Sequence, residues 1–181
     1  MLVSGLDPNG FSSENWIGSG RQKIFEVSKM TNPAVAARVE YSGIRNLRLA
    51  VSGYCGNTAK NSSKPYAMSG VKGTVAIGSF DAQYMGRNLI ARANFVYGTV
   101  SDAKAIYDIN RKYFNNTGYP ITPFGKAAMA YGAEVGYDVL SWANTRNRLF
   151  PFVRWEYYNT GQKIDRGAQE LPRYKLSLIH I

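Results

Sequence analysis

Charged and amide side chains recur at every second position in several stretches of this chain, and their types limit the chemistry open to them. Arg38 and Glu40, Arg92 and Asn94, and Arg154 and Glu156 are each two apart, while Arg48, Glu134 and Asp138 sit in the same kind of alternation. On one face of an extended chain, such groups attract and exchange ions or hydrogen-bonding solutes without making covalent bonds. Covalent catalysis needs a nucleophile, a base and a stabiliser held together, or a metal site. The chain has a single cysteine, Cys55, so it lacks an internal disulfide and a multi-cysteine metal site, and its single histidine, His180, lies in a terminal stretch read below as foreign, which removes histidine-based catalysis from the expectation. Asp7, Asn9 and Gly10 hint at a calcium loop, but their spacing departs from that pattern and Asp-Pro-Asn-Gly is a turn signal first. Asn61 and Asn115 open glycosylation sequons that read as loop composition. The expectation is therefore no enzyme, no metal and no cofactor.

Composition says which elements carry these residues. Of 181 residues, 45% are hydrophobic and 13% aromatic, with 13 Tyr, 18 Gly and only 19% charged. Aromatics fit pleated surfaces and glycine punctuates turns, which favours sheet over helix. The net charge of +10 is spread along the chain rather than clustered, so nucleic acid is not an expected partner. No run of roughly 18 consecutive apolar residues exists to make a transmembrane helix, which leaves a membrane β-barrel open because its strands alternate.

The alternation is explicit. Val35, Ala37, Val39 and Tyr41 oppose Ala36, Arg38 and Glu40, and Leu47, Leu49 and Val51 oppose Arg48, Ala50 and Ser52. Leu89, Ala91, Ala93, Phe95 and Tyr97 oppose Arg92 and Asn94. Tyr131, Ala133, Val135, Tyr137 and Val139 oppose Gly132, Glu134, Gly136 and Asp138, and Val153, Trp155 and Tyr157 oppose Arg154, Glu156 and Tyr158. Each pattern predicts a strand with two unlike faces. Residues 73–85 are less regular, since Val75 and Ile77 share parity with Ser79 and Asp81; a bulge near Gly78 and Ser79 is the expected cause.

Connections alternate too. Residues 43–46, 86–88 and 141–147 are short and rich in Gly and Asn, whereas 7–33, 56–72 and 101–128 are long and polar. Long structureless loops count against a soluble domain, but short periplasmic turns and long outer loops are the habit of outer-membrane barrels. The reading is all-β: an antiparallel, up-and-down transmembrane barrel fragment of about six full strands.

A charged strand face cannot contact hydrocarbon, so Arg38, Glu40, Arg48, Arg92, Asn94, Glu134, Asp138, Arg154 and Glu156 are expected to line a water-filled lumen. Arginine is the only cation of that set, and passage is expected to be biased toward anions. Tyr41, Tyr97, Tyr137 and Tyr157 lie toward strand ends on the apolar face and are expected at the lipid interface. Lys104, Arg111, Lys112 and Tyr113 fall in the longest connection and are the candidates for a constriction, with Tyr107, Phe114 and Tyr119 nearby. A solvated β-sandwich or soluble barrel, with Val35, Leu49, Ala93 and Val135 as its core, is the competing architecture.

The ends suggest a piece of a longer protein. Residues 1–5 show no basic segment followed by an apolar one, although a barrel needs export. Residues 176–181, Leu-Ser-Leu-Ile-His-Ile, match the in-frame translation of a widely used sequencing adapter, so 1–175 is read as the barrel part and 176–181 as foreign, His180 included.

With residues 3–11 (Val-Ser-Gly-Leu-Asp-Pro-Asn-Gly-Phe), 91–98 (Ala-Arg-Ala-Asn-Phe-Val-Tyr-Gly) and 151–159 (Pro-Phe-Val-Arg-Trp-Glu-Tyr-Tyr-Asn), the sequence resembles the Bacteroidetes branch of phosphate-selective-porin-like outer-membrane proteins. The resemblance spans most of residues 1–175 and rests on strand and loop pattern. It implies a Gram-negative outer-membrane location, a larger barrel, homotrimers, lipid as a partner, and passive diffusion of small hydrophilic solutes, phosphate or other anions among them. A substrate-specific outer-membrane receptor, recognising its ligand through the long loops, is the alternative within the same architecture.

Overall fold

The computed structural model describes residues 1–22, 29–113, 121–143, 145–164 and 175–180. Phe114, Tyr119, the Asn115 sequon and Ile181 lie outside the described residues. Eight strands form one sheet: β1 (Leu2–Ser4), β2 (Pro33–Tyr41), β3 (Leu47–Gly56), β4 (Val75–Met85), β5 (Leu89–Val100), β6 (Ala127–Tyr137), β7 (Phe152–Lys163) and β8 (Lys175–His180). Sheet order follows chain order and every neighbouring pair is antiparallel, which is an up-and-down meander. The six full strands expected from alternation are β2 to β7. Two short strands flank them, and β8 includes most of the segment read as foreign. Its backbone occupies the hydrogen-bonding edge that β7 presents, which accepts any extended segment within reach.

The expected bulge at Gly78 and Ser79 does not occur. β4 pairs without interruption from Val75 to Tyr84 with both β3 and β5. Val75 and Ile77 do share a face with Ser79 and Asp81, and they are apolar because something covers them. The irregularity falls instead where Ala127 and Met129 pair with Lys163 and Asn159 of β7.

In a meander, successive connections lie at opposite ends of the sheet. The long connections 5–32, 57–74 and 101–126 therefore share one end, and the short ones at 42–46, 86–88 and 138–151 share the other. The last is longer than its Gly/Asn signal suggested, because Val139–Trp142 winds into a 3₁₀ turn. The connection after β5 is not a plain loop either. It opens with helix α1 (Ala103–Tyr113), whose Ala103, Ile106 and Asn110 are buried at i, i+3 and i+7. Asp102 precedes it in the left-handed region (φ 57°), with its carboxylate accepting the N–H groups of Lys72 and Gly73.

The packed core sits between these long connections and one end of the sheet's charged face. Phe11, Trp16, Ile17, Ala59, Met68, Val75, Val100, Ala103, Ile106 and Phe124 form it. Trp16 lies on Gly98, where a Cβ would stand 2.3 Å from the indole Cη2, so only glycine admits the ring. The indole Nε1 donates to the Gly125 carbonyl at 2.8 Å and Phe11 meets Phe124 edge to face at 5.5 Å. Burying a ring of that size is worth about 5 kcal/mol of transfer free energy, as an upper bound. Polar contacts fix the orientation: Ser13 Oγ donates to Thr122 Oγ1 at 2.9 Å, Thr160 Oγ1 to the Ser13 carbonyl at 2.8 Å, and Asn110 Nδ2 to the Pro8 carbonyl at 3.0 Å. One segment, residues 7–20, thus ties the connection after β3, the connection after β5 and β7 into a single layer.

Candidate functional site

Strand register sorts the charged face into rows. Arg48, Gln83, Arg92, Glu134 and Arg154 lie side by side across β3 to β7. The next row holds Glu40, Ala50, Asp81, Asn94, Gly132 and Glu156, and the one after it Arg38, Ser52, Ser79, Val96, Ala130 and Tyr158. Rows on one face are two residues, or about 7 Å, apart. Arginines outnumber acids in the first row, and the second row carries carboxylates with no cation.

The charges of these three rows neutralise one another. Arg38 Nη1 meets Asp81 Oδ2 at 3.1 Å and Ser52 Oγ at 2.9 Å, and Arg38 Nη2 lies 3.7 Å from Glu40. Arg48 is 3.9 Å from Glu40 and donates to Gln83 Oε1 at 2.8 Å. Arg92 pairs with Glu134 at 3.2 Å, and Arg154 pairs with Glu156. Each arginine of the band has a carboxylate, which leaves the band balanced rather than anion-attracting overall. These pairs are water-exposed, so each is worth only about 0 to 1 kcal/mol of stability. Their effect is a local transverse field across an aqueous surface. Arg92, Asn94, Glu134, Arg154 and Glu156 surround a cleft of about 180 Å³, room for a small hydrated solute. A larger one of about 630 Å³ is bordered by Arg38, Ser52, Tyr54, Ile77 and Ser79.

Eight of the nine residues expected to line this face are brought together on it. Asp138 is not. It lies past the end of β6, is buried, and its Oδ1 accepts the N–H groups of Leu140 at 3.2 Å and Leu149 at 3.1 Å; the carboxylate caps a turn. Ser52, Ser79, Asp81 and Gln83 belong to the band and were missing from the sequence-derived set. Shared parity with Arg48 already marks Ser52, and for Ser79, Asp81 and Gln83 of β4 the supposed bulge hid the same signal.

The candidates for a constriction all lie in α1, on its exposed side. Lys104 pairs with Asp108, Lys112 Nζ sits 5.0 Å from the Tyr113 ring centre, the Tyr113 carbonyl accepts from Lys64 Nζ at 2.9 Å, and Arg111 is exposed. None of these contacts is with a residue of the charged band. The part that lies on the charged face is the buried side of α1 together with residues 7–20, where Asp7 caps a turn by accepting the Asn9 N–H at 2.9 Å. Burial pushes the Asp7 carboxyl above its ordinary range, against the opposing effects of that hydrogen bond and of Lys29.

Among the described residues the opposite face has no such cover. Across β2 to β6 it carries no charged or amide side chain, and Val39 is 73% and Val51 58% exposed. Tyr41 and Tyr137 stand where β2 and β6 end, at the short-turn boundary. Tyr97 lies three residues in from the other end of β5. Tyr157 is mid-strand, stacked against Tyr131 at 4.9 Å in a row with Phe95 and Phe80, because cross-strand aromatic pairing and not a boundary sets its place.

Fold and site together define an amphipathic antiparallel meander, apolar and bare on one side, charged and partly roofed on the other. Compared with known proteins, the chain matches no family model, no curated protein and no solved structure.

Proposed function

We propose that this sheet is part of the wall of an outer-membrane channel of porin-like kind, with its apolar face against lipid and its charged band lining an aqueous path for passive diffusion of small hydrophilic solutes. The observation that carries the reading is the bare, charge-free face of β2 to β6. In water such a surface is a liability for aggregation, whereas in hydrocarbon it is the favoured exterior. The competing soluble barrel needs Val35, Leu49, Ala93 and Val135 buried, and Val35 and Val135 are exposed. In lipid the open edges of β1 and β8 must be paired, so closure into a barrel draws on strands beyond the eight described.

The balanced band implies weak ion selectivity of its own. An anion or phosphate preference, as in the family the sequence resembles, then originates in basic residues of the long connections such as Lys60, Lys72 and Arg111. Trimerisation in a Gram-negative outer membrane belongs to the same proposal. The test is planar-bilayer conductance of the full-length protein, with reversal potentials in a salt gradient and with added phosphate. Stepwise, ohmic conductance is expected; absence of conductance from a folded, inserted protein overturns the open channel. The cleft beside the roofed end favours a second reading, a substrate-specific receptor barrel, which saturable solute binding without conductance selects.

A further inference from the structure

The arginines and lysines of the chain are segregated. Every described lysine lies at the long-connection end: Lys29, Lys60, Lys64, Lys72, Lys104, Lys112, Lys126, and Lys163 and Lys175 where β7 ends and β8 begins. The short-turn end holds only arginine as its cation, and holds it once or more per turn: Arg45 in 42–46, Arg87 in 86–88, and Arg146 and Arg148 in 138–151. In each turn an arginine directly precedes an asparagine: Arg45-Asn46, Arg87-Asn88 and Arg146-Asn147.

The backbone turns this repeat into a line. Asn46, in the left-handed region at φ 65°, accepts the Met85 N–H at 2.8 Å, and the Asn88 carbonyl accepts the Asp138 N–H at 2.8 Å. Neighbouring turns are therefore clasped side by side, and successive arginines recur every two strands, about 9 to 10 Å apart. All four are exposed and make no ion pair among the described residues, unlike every arginine of the charged band. The one acidic residue in these turns, Asp138, has its carboxylate committed to backbone N–H groups. Exposed apolar side chains border the line: Trp142 at 81%, packed 5.7 Å from Tyr137, with Ile44, Met85 and Leu149.

We propose that this rim is a binding surface for the phosphate groups of anionic phospholipids in the leaflet at the short-turn side. The inference rests on the lipid-facing reading of the apolar face, because the rim stands where that face ends and headgroups begin. Guanidinium forks match phosphate oxygens two at a time, whereas the lysine ammonium is a compact, strongly hydrated point charge. Trp142 and Tyr137 supply the amphipathic rings that suit the same depth.

The test uses the full-length protein with vesicles of phosphatidylcholine, alone and mixed with phosphatidylglycerol, and its variant R45Q/R87Q/R146Q/R148Q beside wild type. Each arginine near an anionic surface is worth roughly fivefold in partitioning. Wild type is expected to prefer the mixed vesicles by a salt-sensitive factor of up to several hundredfold, on the order of five to the fourth power for four arginines, and the variant to lose that preference while still inserting as β-sheet into phosphatidylcholine. A control, K60Q/K72Q, should keep it. An unchanged preference in the arginine variant overturns the rim alone. Abolition of the preference by inorganic phosphate at constant ionic strength, or equal capture by a soluble polyglutamate, assigns the rim to another anion and also overturns it. Failure of wild type to insert into either vesicle overturns the rim together with the lipid-facing reading on which it rests.

Discussion

The two faces of one sheet are built to opposite rules. Ala50, on the charged face, is 2% exposed, while Val51, the next residue on the apolar face, is 58% exposed. A soluble sheet buries its apolar side and wets its polar side; here the packed core has grown on part of the charged side and the apolar side is left open. Such a reversal is favourable only if the surroundings of the apolar face are themselves apolar, and that is the physical content of the membrane proposal.

The largest effect is expected where the roof grips the charged face. Trp16→Ala removes the ring on Gly98 and should cost about 3 to 5 kcal/mol of roof stability, read as protease sensitivity within residues 7–20 while the strands stay folded. If strands and roof melt together, the two regions are one cooperative unit and the comparison fails. Next in size is a pair of neighbours on opposite faces. Ala93→Arg, on the apolar face, should destabilise the vesicle-inserted protein by about 2 to 4 kcal/mol, and Asn94→Arg, on the band, by much less; urea titration in vesicles measures both. Equal costs would mean that the faces meet the same solvent.

A smaller change should appear in selectivity rather than in stability. Glu134→Gln leaves Arg92 without its carboxylate, at a cost of less than about 1 kcal/mol, and should shift the reversal potential of the full-length channel toward anions. A shift toward cations would contradict the balanced band. The smallest effect is local and depends on pH. Because burial raises the Asp7 carboxyl in the folded state, its stabilising contribution is complete below the ordinary value of 3.8 and is lost as pH rises through the raised one. Protection of the Asn9 amide against hydrogen exchange should fall over that rise and become flat in Asp7→Asn, which keeps a cap acceptor. A rise in protection with pH would reverse the sign of the account.

Much of this was legible in the sequence, for a simple reason. In β2, β3, β5, β6 and the first half of β7 the charged and amide residues share one parity, so period-two alternation marks both faces directly. β4 defeated the pattern because Val75 and Ile77, on the charged face, lie beneath the roof and had to be apolar. Alternation reports polarity, and polarity follows cover rather than side. The same cover explains α1, whose i, i+3, i+7 positions are a short apolar stripe in an otherwise polar segment. Pairing between arginines and acids came from register across strands, which one strand's sequence does not contain. Asp138 shows the converse error: its parity suited the band, but the strand had already ended.

The apolar face can be interrogated most directly by its alternation. In a Cys55→Ser background, single cysteines at Val51, Phe80 and Phe95 on one face, and at Ser52, Ser79 and Asn94 on the other, carry a fluorescent label in vesicle-reconstituted protein. The lipid-facing account predicts quenching of the first set by brominated acyl chains and of the second by aqueous iodide. Iodide quenching of Val51, Phe80 and Phe95 to the same extent as Ser52, Ser79 and Asn94 would contradict it.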